Sequence, residues 1–167
     1  PHKNSTIPDK YQQLNLVFND GVSLIFRVYN DGVAYRFATN QKGEIVVLNE
    51  LFEVAMPSGT ETWYPTEKSM MSHNERYFYH GIMDTIGPKH LASLPALFKP
   101  NGVNLLITES DIEDYPGLWI KGDGKGGLKG LYPAYPEKEE LIRDRDMKVV
   151  TTKDYIAKTA GVRSYPW

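Results

Sequence analysis

Carboxylates are the residues of this 167-residue chain whose types and spacing could support chemistry. Directly after the apolar run Leu105–Ile107 come four acids, namely Glu109, Asp111, Glu113 and Asp114. Paired carboxylates can act as the acid and base of glycoside hydrolysis, and carboxylate oxygens are also the ligands that calcium prefers. Calcium takes about six to eight oxygens, which one short segment seldom supplies alone. Glu109 is therefore a candidate for one metal ligand among several.

The position of Glu109 follows from the strand that precedes it. Side chains alternate along a strand, so Leu105, Ile107 and Glu109 share one side of the apolar run. The sequence predicts a buried strand with Leu105 and Ile107 facing the core. Tyr115-Pro-Gly117 then turns the chain, because proline fixes its own φ and glycine tolerates unusual angles. The alternative interpretation is a solvated, charged strand end with no metal.

Other candidate chemistries fail on spacing. The segment Lys121–Gly127 is rich in glycine and lysine but lacks the P-loop order, so it predicts a mobile hairpin loop. His73, His80 and His90 match no tight zinc-ligand pattern. No glycine-flanked nucleophile or Ser-His-Asp order is evident, and the chain has no cysteine. No residue is therefore assigned a catalytic role, and none is assigned a sugar contact.

Three tryptophans allow two interpretations. Trp63, Trp119 and Trp167 could stack on sugar rings, or they could bury their large rings in packing. The sequence favours packing for Trp119 first and for Trp63 second.

The elements that must position these residues are strands. Asn-Asp-Gly triplets at 19–21 and 30–32 separate apolar runs and predict hairpins, and Lys99–Gly102 predicts another tight turn. The segment Glu44–Val54 predicts a strand followed by an irregular stretch, with a short helix from Leu48 as the alternative. Short strands between turn signals indicate an all-β, antiparallel β-sandwich.

Two segments near the end of the chain predict little regular structure. Glu137–Met147 is highly charged and predicts a solvated loop or a single helical turn. Val149–Thr152 predicts a strand, and Tyr155–Ala160 predicts a short surface segment.

Composition excludes several classes of function. A net charge of −2 argues against nucleic acid as the main partner, since phosphate binding needs a concentrated basic surface. No apolar run approaches the roughly 20 residues of a membrane-spanning helix. The absence of cysteine excludes disulfides but leaves the cellular compartment open.

Four motifs carry a resemblance to a known family. They are Tyr29-Asn-Asp-Gly-Val-Ala-Tyr-Arg-Phe37, Thr62-Trp-Tyr-Pro65, Leu106-Ile-Thr-Glu-Ser-Asp-Ile-Glu-Asp-Tyr-Pro-Gly117 and Arg163-Ser-Tyr-Pro-Trp167. In this order they resemble the amino-terminal domain of glycoside hydrolase family 97, bacterial and mostly periplasmic α-glucosidases and α-galactosidases. The first and third motifs are the specific ones.

The resemblance implies a galactose-mutarotase-like supersandwich that lacks its first strands. Residues 1–162 would be this partial sandwich, and residues 163–167 would begin a linker into an absent (β/α)₈ barrel. The barrel would hold the catalytic residues and be the domain's packing partner. The fragment alone would not be an enzyme, whereas its full-length parent would hydrolyse α-linked oligosaccharides in the periplasm or after secretion.

The resemblance also implies a role for one residue. Glu109 matches the glutamate of an Ile-Thr-Glu motif that ligates calcium, in a site completed by the barrel. Asp111 and Asp114 match the same motif, and we expect them to serve the turn rather than the metal. Two other functions stay open, a free-standing carbohydrate-binding module and a structural or protein-binding sandwich.

Overall fold

A computed structural model describes residues 5–144 and 146–167, and strands dominate this part of the chain. The strands in chain order are β1 (Gln12–Val17), β2 (Val22–Val28), β3 (Val33–Val47), β4 (Glu53–Val54), β5 (Glu61–Tyr64), β6 (Thr66–Glu67), β7 (Tyr79–Ile82), β8 (Leu91–Ala92), β9 (Ala96–Lys99), β10 (Leu105–Ile107), β11 (Trp119–Gly122), β12 (Leu128–Leu131), β13 (Pro136–Leu141), β14 (Met147–Thr152) and β15 (Ala157–Ser164).

Helical structure is minor. The two helical segments that the structure describes, Met83–Thr85 and Pro100–Gly102, are single 3₁₀ turns. No described helix therefore has the length and apolarity of a membrane span. Each described sheet contains antiparallel strand pairs, so the all-β fold class is confirmed.

The chain divides into two compact units. The first comprises the described part of residues 1–45 together with residues 159–167, and the second comprises residues 46–158. Strands β1, β2, β3 and β15 form one sheet in that order. Its two predicted hairpins are confirmed, since β2 pairs with both β1 and β3. Gly21 has φ +83°, a conformation that favours glycine, where the first hairpin turns.

Trp167 packs within the first unit. The guanidinium carbons of Arg27 and Arg36 lie 4.5 and 4.2 Å from the centre of its indole ring. These distances are within the range of cation–π attraction. Arg163 and Ser164 belong to β15. That residues 163–167 begin a linker stays a prediction, as does the absence of the first strands.

In the second unit, two sheets surround one hydrophobic core, and β13 and β14 form a separate two-stranded sheet. One sheet has the order β10-β9-β5-β7 and the other has the order β4-β12-β11-β8-β6. Buried side chains from both sheets meet in one cluster, which includes Tyr64, Phe98, Ile120 and Leu128. The Tyr64 hydroxyl donates towards the carbonyl oxygen of His90 at 2.9 Å and lies 3.1 Å from that of Ile120, so it bridges the two layers. This face-to-face packing is the predicted antiparallel sandwich.

The sequence prediction for Glu137–Met147 was wrong in part. Residues up to Leu141 belong to strand β13, and Met147 begins β14, which pairs with β13 and contains the strand predicted over Val149–Thr152. All side chains of β13 are exposed, so this strand lacks the apolar alternation by which a half-buried strand is recognised. Its charged side chains form exposed ion pairs instead, one between Lys138 and Glu140 at 2.7 Å and another between Glu137 and Lys153.

The prediction for Tyr155–Ala160 was wrong in part. Strand β15 begins at Ala157 and continues to Ser164, with small residues buried at alternate positions. Gly161 shows why these residues are small, because an added Cβ would lie only 2.4 Å from the carbonyl oxygen of Gln41. Hydrophobicity alone does not reveal such a strand. The strand followed by an irregular stretch over Glu44–Val54 is confirmed, since β3 ends at Val47 and β4 is only Glu53–Val54.

Candidate functional site

Strand β10 sets the position of Glu109. It pairs with β9 so that Leu105 lies opposite Phe98 and Ile107 opposite Ala96, and both partners are fully buried. The predicted inward side of the strand is therefore confirmed. The prediction of a buried strand was wrong, because β10 is a three-residue edge strand. Leu105 remains 37% exposed, and Leu106 on the outer side is 57% exposed.

Glu109 follows two residues after the end of β10, where the chain leaves the sheet. Its side chain is partly buried, and its Oε2 accepts a hydrogen bond from the backbone N–H of Leu118 at 2.8 Å. Leu118 is buried in the core and immediately precedes β11. This hydrogen bond joins two residues that are nine positions apart, so it closes a loop and anchors the carboxylate to the folded core. Within the described part of the chain, no group donates a hydrogen bond to Oε1.

The other three acids of the segment do not join Glu109. Asp111, Glu113 and Asp114 are exposed. Asp111 has φ +59°, a left-handed conformation that aspartate tolerates better than most residues and that suits a turn. No three His, Cys, Asp or Glu side chains in residues 5–144 and 146–167 are grouped closely enough to hold a metal. The sequence cluster is therefore not a cluster in space.

A carboxylate that sequence reasoning missed lies near Glu109 instead. Glu50 follows β3 in the irregular stretch, and both of its oxygens accept hydrogen bonds from tyrosines. Its Oε1 receives the Tyr132 hydroxyl at 2.9 Å, and its Oε2 receives the Tyr115 hydroxyl at 3.2 Å. The only sequence signal for Glu50 is an acid among apolar residues in Leu48–Phe52. No local spacing relates it to Glu109.

The two carboxylates share a desolvated environment. Burial raises the pKa of Glu50 above its ordinary value, while the two tyrosine hydroxyls act in the opposite direction. Burial also raises the pKa of Glu109; the Leu118 N–H opposes this rise, and the negative charge of Glu50 adds to it. Each anion therefore makes the other less favourable, and a nearby cation would relieve both.

This arrangement fits part of a calcium site. Glu109 offers an oxygen ligand on a fixed carboxylate, and Glu50 adds negative charge beside it. Calcium needs about six to eight oxygens, and no group of three acidic or histidine side chains in the described ranges supplies them, so a complete site requires further ligands. The donor set thus agrees in kind, but not in number, with what the metal requires.

The histidines and the glycine-rich loop make contacts within the chain. The His90 Nδ1 accepts the backbone N–H of Gly87 at 2.8 Å, and the His80 ring stacks on Trp63. Between β11 and β12 lies the predicted hairpin loop. There the Asp123 Oδ1 accepts the N–H groups of Lys125 and Gly127, at 2.6 and 2.9 Å. A phosphate would have to compete with this carboxylate for the same donors. These bonds also hold the pKa of Asp123 below its ordinary value.

The tryptophans behave as packing residues. Trp119 is buried at 9% exposure, which confirms the prediction made for it. Trp63 is partly buried, and its ring lies parallel to that of His80, with 4.5 Å between ring centres and 12° between planes. One face of Trp63 is therefore covered by the imidazole.

Comparison with known proteins identifies the family. The chain matches the glycosyl-hydrolase 97 N-terminal domain over residues 1–167, so it belongs to that family. It is also 31% identical over 179 aligned residues to a protein named retaining alpha-galactosidase from Bacteroides thetaiotaomicron. The match covers 99% of this chain but only 27% of that relative, so the chain spans about a quarter of the relative's length. The family resemblance read from the four motifs is confirmed.

Proposed function

We propose that this chain is the non-catalytic amino-terminal domain of a calcium-dependent α-glycoside hydrolase, and that it contributes Glu109 as one calcium ligand at the sugar site. The observation that carries the proposal is the anchored carboxylate of Glu109. Its Oε2 is fixed by Leu118, and its Oε1 accepts no hydrogen bond from the described residues. A ligand presented in this way, without enough neighbours to bind an ion alone, suits a site shared with a second domain.

The proposed role of this chain in the reaction is to hold the Glu109 carboxylate in place for calcium. When bound, calcium would neutralise charge and polarise groups at the glycosidic bond. The Leu118 N–H orients the Glu109 carboxylate, and the desolvated surroundings keep its charge poorly screened. Proton transfer would belong to two carboxylates of the catalytic domain, whose separation distinguishes retention from inversion.

A second feature supports packing on another domain. The outer side of one sheet carries a row of four residues in direct register across all four strands, here called the outer row: Leu106, Leu97, Trp63 and His80. Leu106 and His80 are exposed, while Leu97 and Trp63 are partly exposed. Three of the four side chains are apolar or aromatic, and such a row at the surface is typical of a docking face. The partner that we propose is the catalytic (β/α)₈ barrel of the same polypeptide.

The relative's name narrows the substrate class. It is called a retaining alpha-galactosidase, so we propose an α-galactoside as the first substrate to test, with α-glucoside as the second. The family resemblance supports placing the parent enzyme in the periplasm or outside the cell.

The alternative of a free-standing carbohydrate-binding module has less support. Such a module needs tryptophan faces open to sugar rings. Trp119 is buried, Trp63 is covered on one face by His80, and two guanidiniums lie against Trp167. No specific observation favours a purely structural sandwich over the shared site.

The proposal is tested by hydrolysis assays on the full-length parent enzyme. Aryl α-galactoside and α-glucoside are hydrolysed by wild type and Glu109→Gln after chelator treatment, over a calcium titration. Loss of most activity, restored only at much higher calcium, supports the ligand role. Unchanged activity and calcium response would refute it. Asp111→Asn is the matched control, because Asp111 is an exposed acid in the same loop, and we expect it to behave like wild type.

A further inference from the structure

We propose that Glu50, Tyr115 and Tyr132 form a tyrosine clamp that positions Glu109 for cation binding. The inference rests on the proposed function, because it concerns the same ligand. These three are positioning residues, and none is assigned to the ion or to the sugar. All three act through the loop that carries Glu109, and Glu50 acts in addition through its charge.

The clamp connects the Glu109 loop to the core. Tyr115 lies inside the loop that the Glu109–Leu118 hydrogen bond closes, and its buried ring ends in the bond to Glu50. Tyr132 follows β12, packs against the hydrophobic core and donates to the other oxygen of Glu50. The loop is therefore held at two points, at Leu118 by the backbone and at Tyr115 through Glu50.

The two tyrosine rings add a packing contact to this connection. Their centres are 6.2 Å apart, and their planes meet at 66°, close to an edge-to-face arrangement. Aromatic pairs favour this geometry. The pair thus fixes both hydroxyls near the single carboxylate that they share.

The charge of Glu50 gives the clamp a second effect. Burying a carboxylate is costly, and tyrosine hydroxyls satisfy its oxygens without cancelling its charge. No ion pair joins Glu50 to a Lys, Arg or His of the described residues. Its charge also acts directly on Glu109. A cation bound at Glu109 would offset this uncompensated charge, so removing the charge should weaken cation binding.

Three conservative variants separate geometry from charge. Tyr115→Phe and Tyr132→Phe each remove one hydroxyl and keep the charge of Glu50. Glu50→Gln removes the charge and keeps a carbonyl acceptor of similar shape. Two surface variants serve as matched controls. Tyr135→Phe removes a hydroxyl from a 47% exposed tyrosine, and Glu53→Gln removes an acid whose ion-pair partner is the exposed Lys129.

The measurement is calcium affinity by calorimetry on the chelator-treated, full-length parent enzyme. We expect Glu50→Gln and each Tyr→Phe variant to weaken calcium binding by about tenfold, as is usual for groups that orient a metal ligand. Their activity should fall more at limiting than at saturating calcium. A merely structural role would lower activity equally at both calcium concentrations. The two control variants should match wild type.

Glu109→Gln, measured in the same way, distinguishes failure of the clamp proposal from failure of the proposed ligand role. If it weakens calcium binding while Glu50→Gln and both Tyr→Phe variants stay within twofold of wild type, the clamp is refuted and the ligand role stands. If Glu109→Gln itself leaves calcium affinity unchanged, both proposals fail. Should Glu50→Gln not fold, the two phenylalanine variants still decide the question, because they retain the packing of both rings.

Discussion

One backbone N–H determines how Glu109 is presented. The bond from Leu118 fixes Oε2, and the neighbouring charge of Glu50 makes the environment unfavourable for an anion without a cation beside it. Glu109 is therefore an oriented acceptor beside a second carboxylate, and no ion pair among the described residues compensates either charge. The orientation and the charges can be tested separately.

The hydrogen bond predicts a difference between two substitutions at Glu109. Glu109→Ala should lower the free energy of unfolding of this chain by about 1–2 kcal/mol, because it leaves the Leu118 N–H without an acceptor in a buried place. Glu109→Gln keeps a carbonyl acceptor and should change it by about 0.5 kcal/mol or less. Urea denaturation of both variants measures the difference. Equal losses would show that the bond does not form.

The raised pKa of Glu50 predicts a pH dependence of stability. Its folded-state pKa lies above its ordinary value of 4.5, so the folded state holds the proton more tightly than the unfolded state. The stability that this provides is fully present below about pH 4.5 and is lost as pH rises through the folded pKa. The melting temperature of wild type should therefore fall relative to that of Glu50→Gln between about pH 4.5 and pH 7. A constant difference between the two would contradict the pKa shift.

Of the two neighbouring carboxylates, Glu109 was predicted from the sequence and Glu50 was not. Glu109 could be identified because it follows a strand within a specific motif. Glu50 could not, because it lies 59 positions earlier and meets Tyr115 and Tyr132 only through the sandwich. Long-range contacts between side chains leave no local spacing to read.

At the scale of the element, the short edge strand β10 supports the Glu109 loop. Its inward residues lie opposite buried partners, whereas its outer residue Leu106 belongs to the exposed outer row. Strand register is therefore the property that sets which way the loop leaves the sheet.

Register predicts unequal costs for two neighbouring truncations. Ile107→Ala should cost about 2 kcal/mol of unfolding free energy, at the low end of the range for core aliphatic residues, because Ile107 is only partly buried. Leu106→Ala should cost about 0.5 kcal/mol or less in the isolated chain, because its side chain faces solvent. Chemical denaturation compares them, and a reversed order would mean that the register is shifted by one residue.

Residues that favour turns allowed several hairpins to be predicted, whereas strands without an apolar period were missed. Asn-Asp-Gly and Lys-Pro-Asn-Gly carry strong local preferences, and the turns at these motifs were predicted. Strand β13 was missed because its exposed and mostly charged side chains show no apolar period, whereas the strand predicted over Val149–Thr152 is confirmed within β14. Strand β15 was missed, and its first residues were predicted as a surface segment, because its inward positions hold small residues rather than large apolar ones.

At the scale of the whole molecule, the candidate site is incomplete. The structure has one anchored carboxylate, no group of three metal-binding side chains in the described ranges and a partly exposed outer row. These features agree with the proposal that another domain completes the site. The family and the sandwich fold could be read from the sequence. The proposal of a shared site came from the resemblance, since the patterns of one chain do not show which ligands another domain supplies.

The incomplete ligand set predicts weak binding by the isolated chain. Calcium should bind to residues 1–167 alone with a dissociation constant of about 1 mM or weaker, because affinity follows the number and rigidity of oxygen ligands. Calorimetric titration measures this directly. A micromolar constant would mean that the chain holds a complete site of its own.

The most direct measurement of the central claim is anomalous diffraction from crystals of the full-length parent grown with calcium. The account predicts an anomalous peak about 2.3–2.6 Å from a carboxylate oxygen of Glu109, with the remaining ligands supplied mainly by the catalytic domain. A calcium ion bound elsewhere, with the Glu109 carboxylate turned away from it, would contradict the account.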